Sequence, residues 1–218
     1  MKNKVISLEE AMEHIHDGQT LMVGGFMTCG TPEILMDGIV KKGARDLTVI
    51  GNDAGVPAKG IGKLIQAKLV KKLIASHIGL NPQSGEQMNA GELEVTLVPQ
   101  GSLAEMIRAG GAGLGGVLTP TGLGTEVEEG KQKIAVGGVE YLVELPLKAD
   151  VALIRGSVVD KAGNVFYDGT TRNFNPMMAT AAAVVICAAE KIVEVGELDP
   201  NYVTTPGIFV DYIVGGEE

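Results

Sequence analysis

Short apolar runs that end in glycine-rich turns constrain this chain more than any other feature. Leu21-Met22-Val23 closes on Gly24-Gly25, and Leu47-Thr48-Val49-Ile50 closes on Gly51-Asn52-Asp53. The unit recurs at Leu73-Ile74-Ala75, Val95-Thr96-Leu97-Val98, Val151-Ala152-Leu153-Ile154 and Val184-Val185-Ile186. Helical stretches separate several of these runs. A strand that is apolar at successive positions, rather than alternate ones, is buried on both faces, as in a parallel sheet covered by helices. Aromatics are only 4% and tryptophan is absent, which argues against a β-sandwich. The expected fold is α/β, an open, mostly parallel sheet flanked by helices. At 218 residues, with no linker or repeat, residues 1–218 are expected to form a single domain.

Local signals place some helices and one departure from the pattern. Ser7 and Glu10 form a capping box, and Leu8, Ala11, Met12 and Ile15 keep helical spacing towards an end near Asp17-Gly18. Thr31 is an expected N-cap, with Pro32 at the first helical position. Ser102 is an expected cap for a helix over 102–109. Residues 110–130 are glycine-rich, and Gly111-Ala112-Gly113-Leu114-Gly115-Gly116 within them reads as a flexible loop that shapes a pocket. Ile134-Ala135-Val136, Gly137-Gly138 and Tyr141-Leu142-Val143 read as a hairpin with a two-residue glycine turn.

Charge and cysteine usage remove whole classes of function. A net charge of −9 makes nucleic acid and anionic membrane surfaces unsuitable partners. Cys29 and Cys187 stand far apart without metal-ligand spacing, so neither a zinc site nor a disulfide framework is expected. Met1-Lys2-Asn3-Lys4 leads into acidic residues instead of an apolar signal segment, and the uncharged run over 177–189 is too short to span a bilayer. A cytoplasmic protein is expected.

Open α/β sheets bind ligands at the carboxyl ends of their strands, so the turns there are the candidates. Gly24-Gly25-Phe26-Met27-Thr28-Cys29-Gly30 leaves a strand and enters a helix, where glycine permits close backbone approach and free N–H groups attract anions. A tight turn without a ligand is the alternative. Gly111-Ala112-Gly113-Leu114-Gly115-Gly116 spells a dinucleotide fingerprint, but a helix precedes it where a strand is required. Gln100 follows a strand, and a neutral amide there can donate to a developing oxyanion. Asn52 and Asp53 hold the equivalent position after another strand. His14 and His16 are expected on the opening helix in solvent, His77 in a structural role, and Cys29 as a small buried filler. Glu126, Glu128 and Glu129 read as a solvated face.

The stretch from Asp17-Gly18 through Leu21-Met22-Val23, Gly24-Gly25-Phe26 and Gly30 to Pro32 resembles the defining motif of the family I (3-oxoacid type) CoA-transferases. Every fixed position of that motif is present. The resemblance continues through Gly91-Glu92-Leu93-Glu94, Pro99-Gln100-Gly101, Arg108-Ala109-Gly110-Gly111-Ala112-Gly113 and Thr119-Pro120-Thr121-Gly122 to Arg172-Asn173-Phe174-Asn175-Pro176. In detail it is similar to the α (A) subunits of the bacterial acetate/butyrate–acetoacetate type.

That resemblance implies transfer of CoA between a thioester and a short-chain carboxylate by a ping-pong route. A glutamate attacks acyl-CoA to give a mixed anhydride, and CoA thiolate converts it to an enzyme thioester. In split enzymes this glutamate lies in the β (B) subunit near a Ser-Glu-Asn-Gly motif, which is missing from this sequence. The resemblance thus implies a β partner, an α2β2 assembly, coenzyme A as substrate and no permanently bound cofactor. It casts Gly24, Gly25, Phe26, Met27, Thr28, Cys29 and Gly30 as the CoA-binding segment. Gln100 becomes the oxyanion stabiliser and Asn52 a substrate-side residue; Asp53 is a second asparagine in some relatives. A sugar-phosphate or nucleotide sensor on a similar sheet is the alternative function.

Overall fold

A computed structural model describes residues 4–215; Met1, Lys2 and Asn3 of the basic opening lie outside the described residues. In chain order the elements are α1 (Leu8–Met12), β1 (Thr20–Val23), α2 (Glu33–Lys42), β2 (Leu47–Ile50), α3 (Ile61–Gln66) and β3 (Val70–Ala75). They continue with α4 (Pro82–Asn89), β4 (Glu94–Leu97), α5 (Gln100–Ala112), β5 (Val117–Thr119), β6 (Lys133–Val136) and β7 (Val139–Glu144). The last are β8 (Ala149–Asp160), β9 (Val165–Phe166), α6 (Asn175–Met178), β10 (Ala182–Val193) and β11 (Tyr212–Gly215).

The main sheet has the order β11-β10-β8-β1-β2-β3-β4, with β9 paired to β8. Every pairing along that order is parallel, and only β9 is antiparallel. Two apolar layers sandwich it. Leu21, Val23, Leu47, Val49, Leu73, Val151 and Leu153 face Leu35, Met36, Ile39, Leu64 and Ile65 on one side. Met22, Ile50, Ala152 and Ile154 face Leu103, Met106, Ile107 and Met178 on the other. Adjacent strand residues thus enter opposite layers, which is why the runs are apolar throughout.

The hairpin forms as expected: β6 and β7 pair Val136 with Val139, and Gly137 and Gly138 both have positive φ, as a tight hairpin turn requires. With β5 these strands make a separate three-stranded sheet.

Several boundaries differ from the sequence expectation. The Ser7 capping box is present, but α1 stops at Met12, far short of Asp17-Gly18. His14 and His16 therefore lie beyond the helix, and His14 stacks on Tyr212 at 4.3 Å instead of standing in solvent. Pro32, not Thr31, occupies the N-cap of α2; the Thr31 side chain is buried against Gly25. Helix α5 begins at Gln100 behind Pro99, so Ser102 is not its cap; its hydroxyl is buried without a partner among the described residues. The expected flexible loop begins as helix: α5 takes Gly111 and Ala112 and closes on Gly113 in the left-handed conformation, and Leu114–Gly116 follow as irregular chain. Gly110 and Gly111 let it pack against the Leu147 carbonyl and Thr180, where a Cβ would meet atoms at 1.9 and 2.0 Å. A helix directly before Gly111 removes the dinucleotide reading.

Candidate active site

The strand order reverses at β1. The chain builds β2, β3 and β4 outward on one side, then returns to lay β8, β10 and β11 on the other. That reversal opens a crevice at the carboxyl ends of β1 and β8, the usual ligand position in such sheets. Gly24 and Gly25 leave β1 there, with Gly24 N–H donating to the Leu153 carbonyl at 2.9 Å. Strands β8 and β10 run on together as far as the Asp160–Val193 pair and extend past the crevice. Sequence reading takes each as a short strand, because Arg155-Gly156-Ser157 and Glu190-Lys191 interrupt their apolar character.

The segment Gly24–Gly30 is a built turn. Phe26 and Cys29 pair across it, with Phe26 N–H on the Cys29 carbonyl at 3.0 Å, and Met27 at the tip has φ 58°. Such a φ is strained for a residue with a side chain. Phe26, Met27 and Cys29 are exposed on it. Cys29 is therefore not the buried filler expected; its sulfur lies 3.3 Å from the Thr170 hydroxyl.

Asn175 holds the turn from beneath. Fully buried at the start of α6, it accepts from Arg155 N–H at 3.0 Å and donates to the carbonyls of Gly30 at 3.0 Å and Thr171 at 2.8 Å. Asn173 adds a bond to the Cys29 carbonyl at 2.9 Å. A Cβ on Gly24 would stand 1.8 Å from Asn175 Oδ1, so only glycine fits there. Arg155 itself pairs with Glu190 of β10.

A second turn after β2 shares the length and glycine frame of the first, with its positive-φ side-chain residue one place later. Val56 pairs with Lys59 as Phe26 does with Cys29, and Ala58 carries φ 60°. Both turns are framed by glycines of positive φ, Gly25 and Gly30 in one, Gly55 and Gly60 in the other. Asp53 ties them together. Its Oδ2 accepts from Met27 N–H of the first turn at 2.7 Å, and its Oδ1 from Gly55 N–H of the second at 2.7 Å. The second turn also docks on α2, where Glu33 accepts Gly60 N–H at 2.8 Å.

Asn52 and Gln100 come together although 48 residues separate them. Gln100 Nε2 donates to Asn52 Oδ1 at 2.5 Å, and Asn52 Nδ2 donates to Asp53 Oδ2 at 2.7 Å. Asn52 is 1% exposed, so it forms the base of this cluster, while Gln100 is exposed at its rim. Ser76, at the end of β3, braces the Asn52 carbonyl at 2.6 Å. His77 pairs through its backbone with Asp53. Glu128 lies elsewhere, bound to Gly124 N–H and paired with Lys133 at 2.9 Å.

The sequence reading missed Asp53 as the clamp, Arg155, and Asn175 as the anchor. One signal was available for the twin turns: glycines five apart at Gly25/Gly30 recur at Gly55/Gly60. No group of three or more potential metal ligands occurs among the described residues.

A crevice at the switch point, with an exposed turn beside it and the neutral amides of Asn52 and Gln100 close by, suits an acyl-transfer enzyme. A family model described as coenzyme A transferase matches residues 5–216, and the chain belongs to that family. It is 56% identical over 98% of its length, and 98% of the relative's, to the acetoacetyl-CoA:acetate/butyrate CoA transferase alpha subunit of Clostridium acetobutylicum. It is 50% identical over its whole length, and 99% of the relative's, to the acetate CoA-transferase subunit alpha of Escherichia coli K12. Among solved structures, an acyl-CoA transferase from E. coli O157:H7, crystallised as a thioester complex with CoA, superposes with a TM-score of 0.86 at 25% identity. It covers 98% of this chain, which spans only 47% of that one. Glutaconate coenzyme A-transferase from Acidaminococcus fermentans has the same fold, with a TM-score of 0.84 at 23% identity over 97% of this chain and 75% of its own.

Proposed function

We propose that this chain, acting as one unit, is the α subunit of a short-chain acyl-CoA:carboxylate CoA-transferase of the acetate/butyrate–acetoacetate type. Family membership and the two bacterial α subunits at 56% and 50% identity support the substrate class. The single observation that carries the division of labour is the make-up of the crevice. The carboxylates described there are already engaged: Asp53 accepts three N–H groups, Glu33 takes Lys63 and Gly60 N–H, and Glu190 pairs with Arg155.

The nucleophilic glutamate is accordingly supplied by a β subunit, in an α2β2 assembly. That glutamate carboxylate attacks the thioester carbonyl of acyl-CoA, and the tetrahedral oxyanion that forms before CoA thiolate leaves needs a donor. Gln100 has one N–H on Asn52; its second is available at the rim, and we assign it to the oxyanion. Asn52 shapes the substrate pocket from below. The exposed turn Gly24–Gly30 receives coenzyme A, with Phe26 and Met27 offering apolar surface and glycine allowing close approach. Coenzyme A enters as substrate, and no resident cofactor or metal takes part. The acidic charge and two free thiols suit a cytoplasmic enzyme. Among the described residues no helix is long and apolar enough to cross a membrane.

The test is an assay of acetoacetyl-CoA with acetate or butyrate, with the chain alone and mixed with its partner. Activity should require both chains; turnover by the lone chain refutes the division of labour.

A further inference from the structure

We propose that Asp53 is a positioning residue that fixes, through Asn52, which end of the Gln100 amide faces the oxyanion. The inference rests on the reading of Gln100 as an oxyanion donor. An amide side chain has two ends of similar size, and a half-turn about its last bond exchanges a donor for an acceptor. A glutamine turned the wrong way would present its carbonyl lone pairs to a developing negative charge. Something must therefore break the symmetry of the pair Gln100–Asn52, because two amides can bond to each other in either sense.

Asp53 does so. A carboxylate accepts only, and this one takes three N–H groups: Met27 N and Asn52 Nδ2 on Oδ2, and Gly55 N on Oδ1. Met27 and Gly55 present backbone donors that cannot turn, so the acceptor is held in place whatever Asn52 does. Asn52 must then point its NH2 at Asp53 and its Oδ1 outward. Gln100 in turn must give Nε2 to that oxygen, at 2.5 Å. Asp53 and Asn52 are 4% and 1% exposed, so water does not compete for either amide end. The same carboxylate that joins the twin turns thus sets the polarity of the donor row.

The experiment is a mutant cycle on the assembled two-subunit enzyme, with acetoacetyl-CoA and acetate. Asp53→Ala should lower kcat and kcat/KM together by roughly tenfold, the order of coupling seen between hydrogen-bonded neighbours. The KM for acetate should stay unchanged. In the Gln100→Ala background most of the Asp53→Ala loss in kcat should vanish, because no amide is left to orient and only the loosening of Met27 and Gly55 remains. Asp53→Asn, whose carbonyl can still take Met27 and Asn52 but whose NH2 then meets the Gly55 N–H, should recover part of the rate. Asn52→Ala breaks the row while leaving both backbone bonds to Asp53 intact; its loss in kcat should match that of Asp53→Ala, its KM being set apart because Asn52 also shapes the pocket, and it serves if the first variant does not assemble. A full Asp53→Ala loss persisting without Gln100, or a loss confined to KM, overturns the positioning role while leaving Gln100 as a donor. A Gln100→Ala enzyme of undiminished kcat overturns the oxyanion reading and the positioning role with it.

Discussion

Substituting Gly24 by alanine isolates what holds the candidate CoA-binding turn. The backbone at Gly24 has an ordinary φ, so alanine brings no conformational strain of its own. The added Cβ would instead sit 1.8 Å from Asn175 Oδ1 and 2.7 Å from its Cγ, and Asn175 must leave. Its departure strands the Arg155 N–H and the carbonyls of Gly30 and Thr171, all bonded to it at 2.8–3.0 Å. At about 1 kcal/mol for each buried bond lost, Gly24→Ala should cost about 3 kcal/mol. Asn175→Ala should cost about the same, since it strands the same groups. The double variant should cost little more than either alone, because the clash no longer has a target. The cycle therefore predicts a coupling of about 3 kcal/mol, read by equilibrium urea unfolding of the chain. Additive losses in the double variant would show that Asn175 is not what excludes a side chain at position 24.

The remaining predictions follow from individual groups. Gln100→Ala should lower kcat of the assembled enzyme by about a hundredfold or more, the usual cost of one oxyanion donor, with unfolding unchanged. Cys29, exposed on the turn, should react at once with a thiol reagent and be protected by coenzyme A. Cys187 should react only on unfolding, because burial pushes its thiol up to about 12. Glu10 is held below its ordinary value of 4.5, first by the Ser7 backbone N–H and then by the Ser7 hydroxyl. A carboxyl lowered on folding adds stability above its unfolded value and loses it as pH falls through the folded one. The Tm advantage over Glu10→Gln should therefore be full at neutral pH and shrink below about 4.5; an advantage independent of pH refutes the capping charge.

How much the sequence disclosed follows physical lines. Strands buried on both faces leave a continuous apolar run, so β1, β2 and the cores of β3 and β8 are legible at short range. The hairpin is legible because two adjacent positive-φ positions demand Gly137-Gly138. The full length of β8 and β10 is not, since their outer halves carry Arg155, Ser157, Glu190 and Lys191, and pairing with each other, with β9 beside β8, holds them extended. Thr31 and Ser102 mimic helix caps by type, yet the folded chain buries both. In the site, Gln100 and Asn52 are visible separately as residues after strands, but their contact depends on β2 and β4 flanking β3. Asn175 and Arg155 act through backbone groups far away in sequence, and no local pattern announces that.

The central claim is that this subunit contributes donors and a binding turn while a partner contributes the nucleophile. Mass spectrometry of both subunits, after the assembled enzyme meets acetoacetyl-CoA without an acceptor acid, tests it most directly. The account predicts a CoA adduct on the partner chain only, formed more slowly when Gln100 is alanine. A CoA adduct on a carboxylate of this chain would contradict it.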